Sequence, residues 1–385
     1  MAAGAELSGR INISLFCDSE MITDLTIESS RPKGITKLFV GQKPQDAVDR
    51  IPLIYSLCSV AQTIAGLSAI ESELGSKASE EAIIARKVLL LAETGRELAI
   101  RVQRDWLKGA GGVELAQLMQ WFAELKTELQ WALVIAPDGQ ARSIDLQHVA
   151  QRLETILAPL FPENEMRFKE ALFSGCTTSP LARVVVSLNE IFTGIKLGNF
   201  EANTEVTSQY LLHKLDSEGD RFCAQPMSEK GCLESSVWTR NRSRQVIQEA
   251  ELLAMHPVAQ RFLALVLELQ EIPQRIARFG KEQLGKDELG KEALVFSDQP
   301  GLSHVDAARG RLTHRVKITE QHGEARISEY QVIAPTEWNF HPEGALKQML
   351  KGVKVSLEQA RELTERLVLA IDPCVAYKVE VVEHA

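Results

Sequence analysis

The sequence predicts an α+β fold that is mainly α, a long-helix bundle core with small N- and C-terminal β pieces. Three observations carry this. Apolar residues recur every three or four positions in three successive runs between residues 79 and 160. Polar–apolar alternation, the pattern of a half-buried strand, is found at residues 10–28 and again in a segment near the C-terminus. The 385 residues are 45% hydrophobic and 25% charged, the mix of an ordinary globular chain long enough for a large core.

In order, Arg10–Phe16 and Thr23–Glu28 alternate, with Cys17-Asp18-Ser19-Glu20 as the turn between them. Arg31-Pro32-Lys33-Gly34 interrupts before Leu38-Phe39-Val40, giving an N-terminal β region over 10–40. Residues 50–62, which carry Tyr55 and Cys58, lead into a helix over 63–70. Its small residues (Ala61, Ala65, Gly66, Ser68, Ala69) let a neighbouring element come close. Ile84, Val88, Leu91, Leu98, Val102 and Trp106 form the first long stripe, stopped by Gly109-Ala110-Gly111-Gly112. Leu115, Leu118, Phe122, Leu125, Leu129 and Leu133 form the second, closed by Pro137-Asp138-Gly139. Ser143 can cap the third, with Leu146, Val149, Leu153 and Ile156 facing in. Stripes of this kind are core, and no chemistry is assigned to them. Residues 161–245 show no clear period. Val258, Phe262, Leu265 and Leu269 resume a helix, with Pro273 kinking or ending it.

A five-residue near-repeat, Lys281-Glu-Gln-Leu-Gly and its two successors, fits no helix face and is expected to be a solvated linker. One domain over 1–385 therefore divides into the β region, a helical core over 45–280, a linker over 281–300 and a C-terminal module over 301–385. In that module Val316–Ile318 and Ile327–Ile333 are expected strands, joined through Gln321-His322-Gly323-Glu324. Ser356, with Gln359 three residues on, makes a capping box. Ala360, Leu363, Leu367 and Ala370 then share one face, and Pro373 ends the helix. Cys374 follows at the stop. Taken alone, a thiol there reads as a small buried hydrophobe, and it becomes a candidate ligand only through other stretches that fit the same site.

The net charge of −9 and the lack of a basic stripe with interleaved aromatics argue against nucleic acid as a partner. No apolar run approaches the roughly 20 residues that span a membrane, and no signal-peptide pattern opens the chain. The six cysteines (17, 58, 176, 223, 232, 374) are scattered, as expected of a reduced, cytoplasmic protein. Cys223 and Cys232 are nine apart with no second close pair, which is poor zinc spacing.

Four segments together carry a resemblance. Arg309-Gly310-x-Leu312-x-His314 is similar to the Ala-Pro-Arg-Gly-x-Leu-x-His stretch of nickel-iron hydrogenase large subunits. Pro335-Thr336-Glu337-Trp338-Asn339 resembles that family's Pro-Thr-Thr-Trp-Asn. Asp372-Pro373-Cys374-x-x-Tyr377 resembles its Asp-Pro-Cys-x-x-Cys, and Leu53-x-Tyr55-x-x-Cys58 its Arg-x-Cys-x-x-Cys. Gly9–Gly41 and Leu233–Arg240 add weaker similarity, and the middle of the chain agrees only in being helical.

The resemblance implies a hydrogenase large-subunit-like fold, and the departures from it define what the site can do. In the family each cysteine pair gives one terminal nickel thiolate and one nickel–iron bridge. Here Tyr55 and Tyr377 replace one cysteine of each pair, leaving Cys58 at a bridging position and Cys374 at a nickel-terminal one. Glu380 stands in place of the family's C-terminal His, Leu53 in place of Arg, and Ala308 in place of Pro. A phenolate is a hard, poor ligand for a thiolate-type centre, so neither nickel nor hydrogen turnover is expected. What the resemblance leaves is the iron half: Cys58 and Cys374 as metal ligands, and Arg309 as charge-assisted donor to a cyanide of an Fe(CN)2CO group. Tyr55 and Tyr377 would line the same site.

The pattern is similar to accessory proteins of the HupK/HoxV type, degenerate relatives of the large subunit. That similarity implies a non-catalytic hydrogenase maturation scaffold or carrier for the Fe(CN)2CO moiety before transfer to the large subunit. HypC-type maturation chaperones and the large-subunit precursor are the implied partners. The alternatives are a metal-free protein–protein scaffold and a degenerate redox-complex subunit. His314 and His341 are either further ligands or, the preferred reading, residues behind the ligands or on the surface.

Overall fold

The structure, a computed structural model, describes residues 9–18, 20–137, 144–161, 179–200, 206–279 and 295–383. In chain order it opens with strands β1 (Arg10–Cys17) and β2 (Ile22–Ser29) and a 3-10 turn at Ile35–Phe39. Helices follow: α1 (Pro44–Ile54), α2 (Ser59–Leu74), α3 (Glu80–Arg101), α4 (Leu115–Leu129) and α5 (Leu146–Leu157). Then come α6 (Pro180–Ile191), α7 (Ser208–Glu218), α8 (Asp220–Ala224), α9 (Val237–Asn241), α10 (Gln245–Leu252) and α11 (Pro257–Arg278). Strands β3 (Val295–Gln299), β4 (Leu302–Ala307), β5 (Gly310–Gln321) and β6 (Glu324–Ile333) precede α12 (Pro335–Asn339), α13 (Ala345–Leu350), α14 (Leu357–Ile371) and β7 (Ala376–Glu383). The chain forms two compact units, one of residues 1–35, 185–265 and 333–385, the other of 36–184 and 266–332.

The first unit holds a three-stranded sheet in the order β2-β1-β7. Alternation along β1 buries Ile11, Ile13, Leu15 and Cys17. β1 runs antiparallel to β2 and parallel to β7, from Arg10↔Ala376 to Cys17↔Glu383. The first and last strands of the chain are therefore neighbours. α14 lies against β7. Its capping box is formed at both ends: Gln359 N donates to Ser356 Oγ (3.3 Å) and Ser356 N to Gln359 Oε1 (3.1 Å). Ala360, Leu363, Leu367 and Ala370 are buried, and Asp372 closes the helix in the left-handed region at φ 65°.

The second unit holds a four-stranded sheet in the order β3-β4-β5-β6, crossed by α2. Phe39, Val48, Ile51, Leu67, Ile70, Val316, Ile327 and Tyr330 form its apolar cluster. His322 and Gly323, at φ 55° and 77°, turn β5 into β6, two positive φ values being what a tight hairpin turn demands. Ala308 and Arg309 are the two residues between the paired Ala307 and Gly310 of a second hairpin. The expected strand at Val316–Ile318 in fact begins at Gly310. Its first half is buried almost throughout, so it shows no alternation to read.

α3 is buried on every side from Ala85 to Ala99, charged residues included. Arg86 is satisfied by a bidentate pair with Glu71 (2.7 and 2.8 Å) and by the Ala132 carbonyl (2.8 Å). Other expectations give way to packing. Leu38-Phe39-Val40 is not a strand: only Phe39 is anchored, and the stretch closes as a 3-10 turn. α11 runs through Pro273, because Leu269, Ile272 and Ile276 are wholly buried on both sides of it. α5 is capped by Asp145, whose Oδ1 accepts from His148 N at 2.9 Å. Ser143, Cys176 and the near-repeat up to Leu294 lie outside the described residues. Among the described residues no helix is long and apolar enough to cross a membrane.

Candidate functional site

In the second unit, Cys58 is half-buried at the N-cap of α2, but its side chain does not cap the helix. Glu93 of α3 does so instead, its two oxygens accepting from Val60 N and Ala61 N at 2.9 Å each. Burial pushes the Glu93 carboxyl up to about 7, against the opposing pull of the two amides and Arg96. Arg96 Nη2 donates to the Leu57 carbonyl (2.9 Å) and to Glu97 Oε1 (2.5 Å), and its guanidinium lies 4.3 Å from the centre of the Phe122 ring. Glu97 Oε2 accepts from Arg309 Nη2 at 3.1 Å. An unbroken set of contacts, Arg309–Glu97–Arg96–Leu57, thus ties the arginine of the 309–314 motif to the residue preceding Cys58. On the other side of Cys58, Lys126 Nζ reaches Ser59 Oγ at 3.3 Å.

His314 is wholly buried. Its Nδ1 lies 2.9 Å from the Tyr330 hydroxyl, and its Nε2 lies 2.8 Å from Gln62 Oε1. Gln62 Nε2 donates in turn to Cys58 Sγ at 3.8 Å. Burial drives the His314 imidazole down to about 3, so the ring is neutral, and lifts the Tyr330 phenol well above its ordinary value. Tyr55 ends α1 and is half-buried against the cluster that contains Tyr330.

In the first unit, Cys374 is half-buried beside Thr336. The Thr336 hydroxyl donates to Cys374 Sγ (3.1 Å) and accepts from Cys374 N (3.2 Å). The Pro335–Asn339 and Asp372–Cys374 motifs therefore meet. Asn339 at the other end of α12 pairs with the backbone of Ser235 through both its amide atoms (2.7 and 2.8 Å). Glu234 is fully buried against Arg261, with Nη2–Oε2 at 2.8 Å and a second short contact from Nη1 to Oε1. Tyr377 is half-buried on β7, in register with Ile11. Cys232 Sγ lies 3.4 Å from His341 Nδ1, which also accepts from Glu343 N. Burial raises that thiol and lowers that imidazole, so the contact is between neutral groups.

Cys58, Tyr55 and Arg309 therefore belong to one unit, Cys374 and Tyr377 to the other. Among the described residues no group of three or more His, Cys, Asp or Glu is placed to hold a metal ion. Sequence reasoning missed Gln62, Glu93, Arg96 and Glu97. The available signal was three charges at helical spacing, 93, 96 and 97, inside a helix whose other faces are apolar.

Residues 230–380 match the family model described as nickel-dependent hydrogenase. Over nearly the whole chain, similarity extends to the hydrogenase expression/formation protein HupV of Azotobacter chroococcum, 28% identical across 98% of this chain and 100% of that one. HupK of Bradyrhizobium diazoefficiens, described in the same words, is 27% identical over 96% of each. Among solved structures, the Ni-Fe-Se hydrogenase of D. vulgaris Hildenborough superposes with a TM-score of 0.61 at 15% identity, covering 93% of this chain and 94% of that one. The enzyme of Desulfomicrobium baculatum gives 0.59 at 16%, covering 94% and 95%. At these identities the structural likeness fixes the fold, that of the hydrogenase large subunit.

Proposed function

We propose, from a chain homologous to hydrogenase expression/formation proteins and built on the hydrogenase large-subunit fold, that it is a non-catalytic factor in hydrogenase maturation. Its cargo is the Fe(CN)2CO fragment, held before transfer to the large subunit. The observation that carries this reading is the buried contact set joining Arg309 to the backbone beside Cys58.

Each part has a chemical task. The Cys58 thiolate is a soft donor suited to low-spin iron. Cyanide bound to iron carries negative charge on nitrogen, and a guanidinium offers it charge-assisted donors in a fixed fork. Glu97 orients that fork and balances its charge in a site with little water. Cys374, in the other unit, is the second candidate thiolate, with the Thr336 hydroxyl donating to its sulfur. Tyr55 in one unit and Tyr377 in the other stand where a nickel centre would need further thiolates, so no nickel is carried. A carrier must also release its cargo, and a site with fewer thiolates and no nickel lets the iron fragment go more readily. HypC-type chaperones deliver the fragment, and the large-subunit precursor receives it in the cytoplasm.

The test is infrared spectroscopy of protein purified from a hydrogenase-producing host. Bands of iron-bound cyanide and carbonyl are expected in the wild type and lost in Cys58→Ala. Arg309→Lys is expected to move the cyanide bands more than the carbonyl band. A wild-type protein without such bands from that host would overturn the carrier reading.

A further inference from the structure

We propose that Gln62 is a positioning residue for the Cys58 sulfur, held by His314 and Tyr330 so that its amide N–H points at Sγ. The inference rests on the reading of Cys58 as an iron ligand.

Directionality comes from the far end of the chain of contacts. Tyr330 keeps its proton, and its hydroxyl lies 2.9 Å from Nδ1 of the neutral His314 ring, which can accept it. The imidazole proton then sits on Nε2, which donates to Gln62 Oε1 at 2.8 Å. With its oxygen so engaged, Gln62 turns its NH2 toward Cys58 Sγ, 3.8 Å away. All three hydrogen bonds therefore run toward the sulfur. Gln62 and Tyr330 are 3% exposed and His314 is 0%, so water does not compete for these groups. A donor aimed at sulfur favours a sulfur carrying negative charge, as a metal-bound thiolate does.

The helix is built around this arrangement. Gly66 lies one turn beyond Gln62 in the middle of α2, where glycine is unfavourable. A Cβ at that position would stand 2.5 Å from Tyr330 Oη and 3.5 Å from His314 Nδ1. Glu93 takes over the capping of α2, so the cap does not engage the thiol. On the flanks of Cys58, Arg96 holds the Leu57 carbonyl, Lys126 reaches Ser59 Oγ, and Arg309 meets Glu97.

The experiment needs no iron, so it stands apart from the carrier test. Metal-free full-length protein is treated with iodoacetamide at one fixed pH, and the Cys58 and Cys374 peptides are followed separately by mass spectrometry. Gln62→Glu keeps the shape and the acceptor for His314 but faces the sulfur with a carboxylate oxygen. Cys58 alkylation is expected to slow about tenfold, the equivalent of one charge-assisted hydrogen bond, with the Cys374 rate unchanged. Gln62→Met should slow it less, and Gln62→His, which can again donate to sulfur, should restore it. Equal Cys58 rates in all four folded proteins would overturn the proposal. Should the variants not fold, the wild type decides: the Gln62 side-chain amide resonances must move when Cys58 is alkylated, and static resonances would overturn it.

Discussion

Arg309 and Glu97, 212 residues apart in the chain, meet as a buried ion pair with Nη2–Oε2 at 3.1 Å. Glu97 also faces Arg96, so one carboxylate serves two guanidinium groups that are almost wholly withdrawn from water. Removing a shared anion leaves buried positive charge uncompensated. Glu97→Gln is therefore expected to destabilise the fold by about 3 kcal/mol or more, read as a lower urea midpoint with unchanged slope. The double variant Glu97→Met/Arg309→Met should lose less than the sum of its singles, because it removes both charges together. Strict additivity would show that the two side chains do not interact.

Glu93 predicts a pH dependence. Its carboxyl is held near 7 in the folded protein, chiefly by burial, against an ordinary value of 4.5. Below both values the group is protonated in either state and makes no difference. As pH rises between them, the unfolded chain gives up the proton and the folded chain keeps it. Stability must then fall across that window and level off above about 7, by on the order of 3 kcal/mol. Glu93→Gln removes the titration but turns an NH2 toward one of the two α2 amides. Its stability should be lower at acid pH and flatter between pH 4.5 and 7. A wild type and variant whose urea midpoints run parallel across that range would refute the assignment.

What the sequence disclosed divides along physical lines. The box of Ser356 and Gln359, the buried face from Ala360 to Ala370 and the alternation of β1 follow from rules acting within a few residues, and they were legible. Leu38–Val40 was misread, and of the two readings of Pro273 the helix end fails because α11 continues past it; packing by distant side chains outweighs local preference there. The motif residues could be named from their resemblance, and their partners could not. Nothing local says that Glu97 waits for Arg309, or that Gln62 joins His314 across 252 residues. Charges on a long helix ordinarily mark its wet face. On α3 they mark buried contacts, which only the fold reveals.

Gly66 and Gly75 are both required, for different reasons. At Gly66 an added Cβ would meet Ile51 Cδ1 and Tyr330 Oη, each at 2.5 Å. At Gly75 there is open space, but φ is 66°, where a side chain is strained. Gly66→Ala should cost about 1–3 kcal/mol through overpacking and perturb the near-ultraviolet circular dichroism of Tyr330. Adding Tyr330→Phe removes the clashing hydroxyl and should recover part of that cost. Gly75→Ala should cost about 1 kcal/mol, with no recovery from Tyr330→Phe. Identical behaviour of the two glycine variants toward Tyr330→Phe would contradict the steric account.

Thr336 should matter through its hydroxyl alone. Thr336 is 3% exposed, and its hydroxyl makes two contacts with one residue, donating to Cys374 Sγ and accepting from Cys374 N. Thr336→Val keeps the shape and leaves the half-buried Cys374 amide without its acceptor, which should cost about 1 kcal/mol or more. Thr336→Ser keeps both hydrogen bonds and loses only a methyl group, so its cost should be near 1 kcal/mol. Hydrogen exchange separates the two effects: the Cys374 amide should lose protection in the valine variant and keep it in the serine variant. The helix that delivers Cys374 is capped at its far end by Ser356, fifteen residues away from Ile371. A global loss of α14 would expose the Ala360 amide as well. Loss of protection confined to Cys374 would therefore identify the hydroxyl, rather than the helix, as what holds this thiol in place.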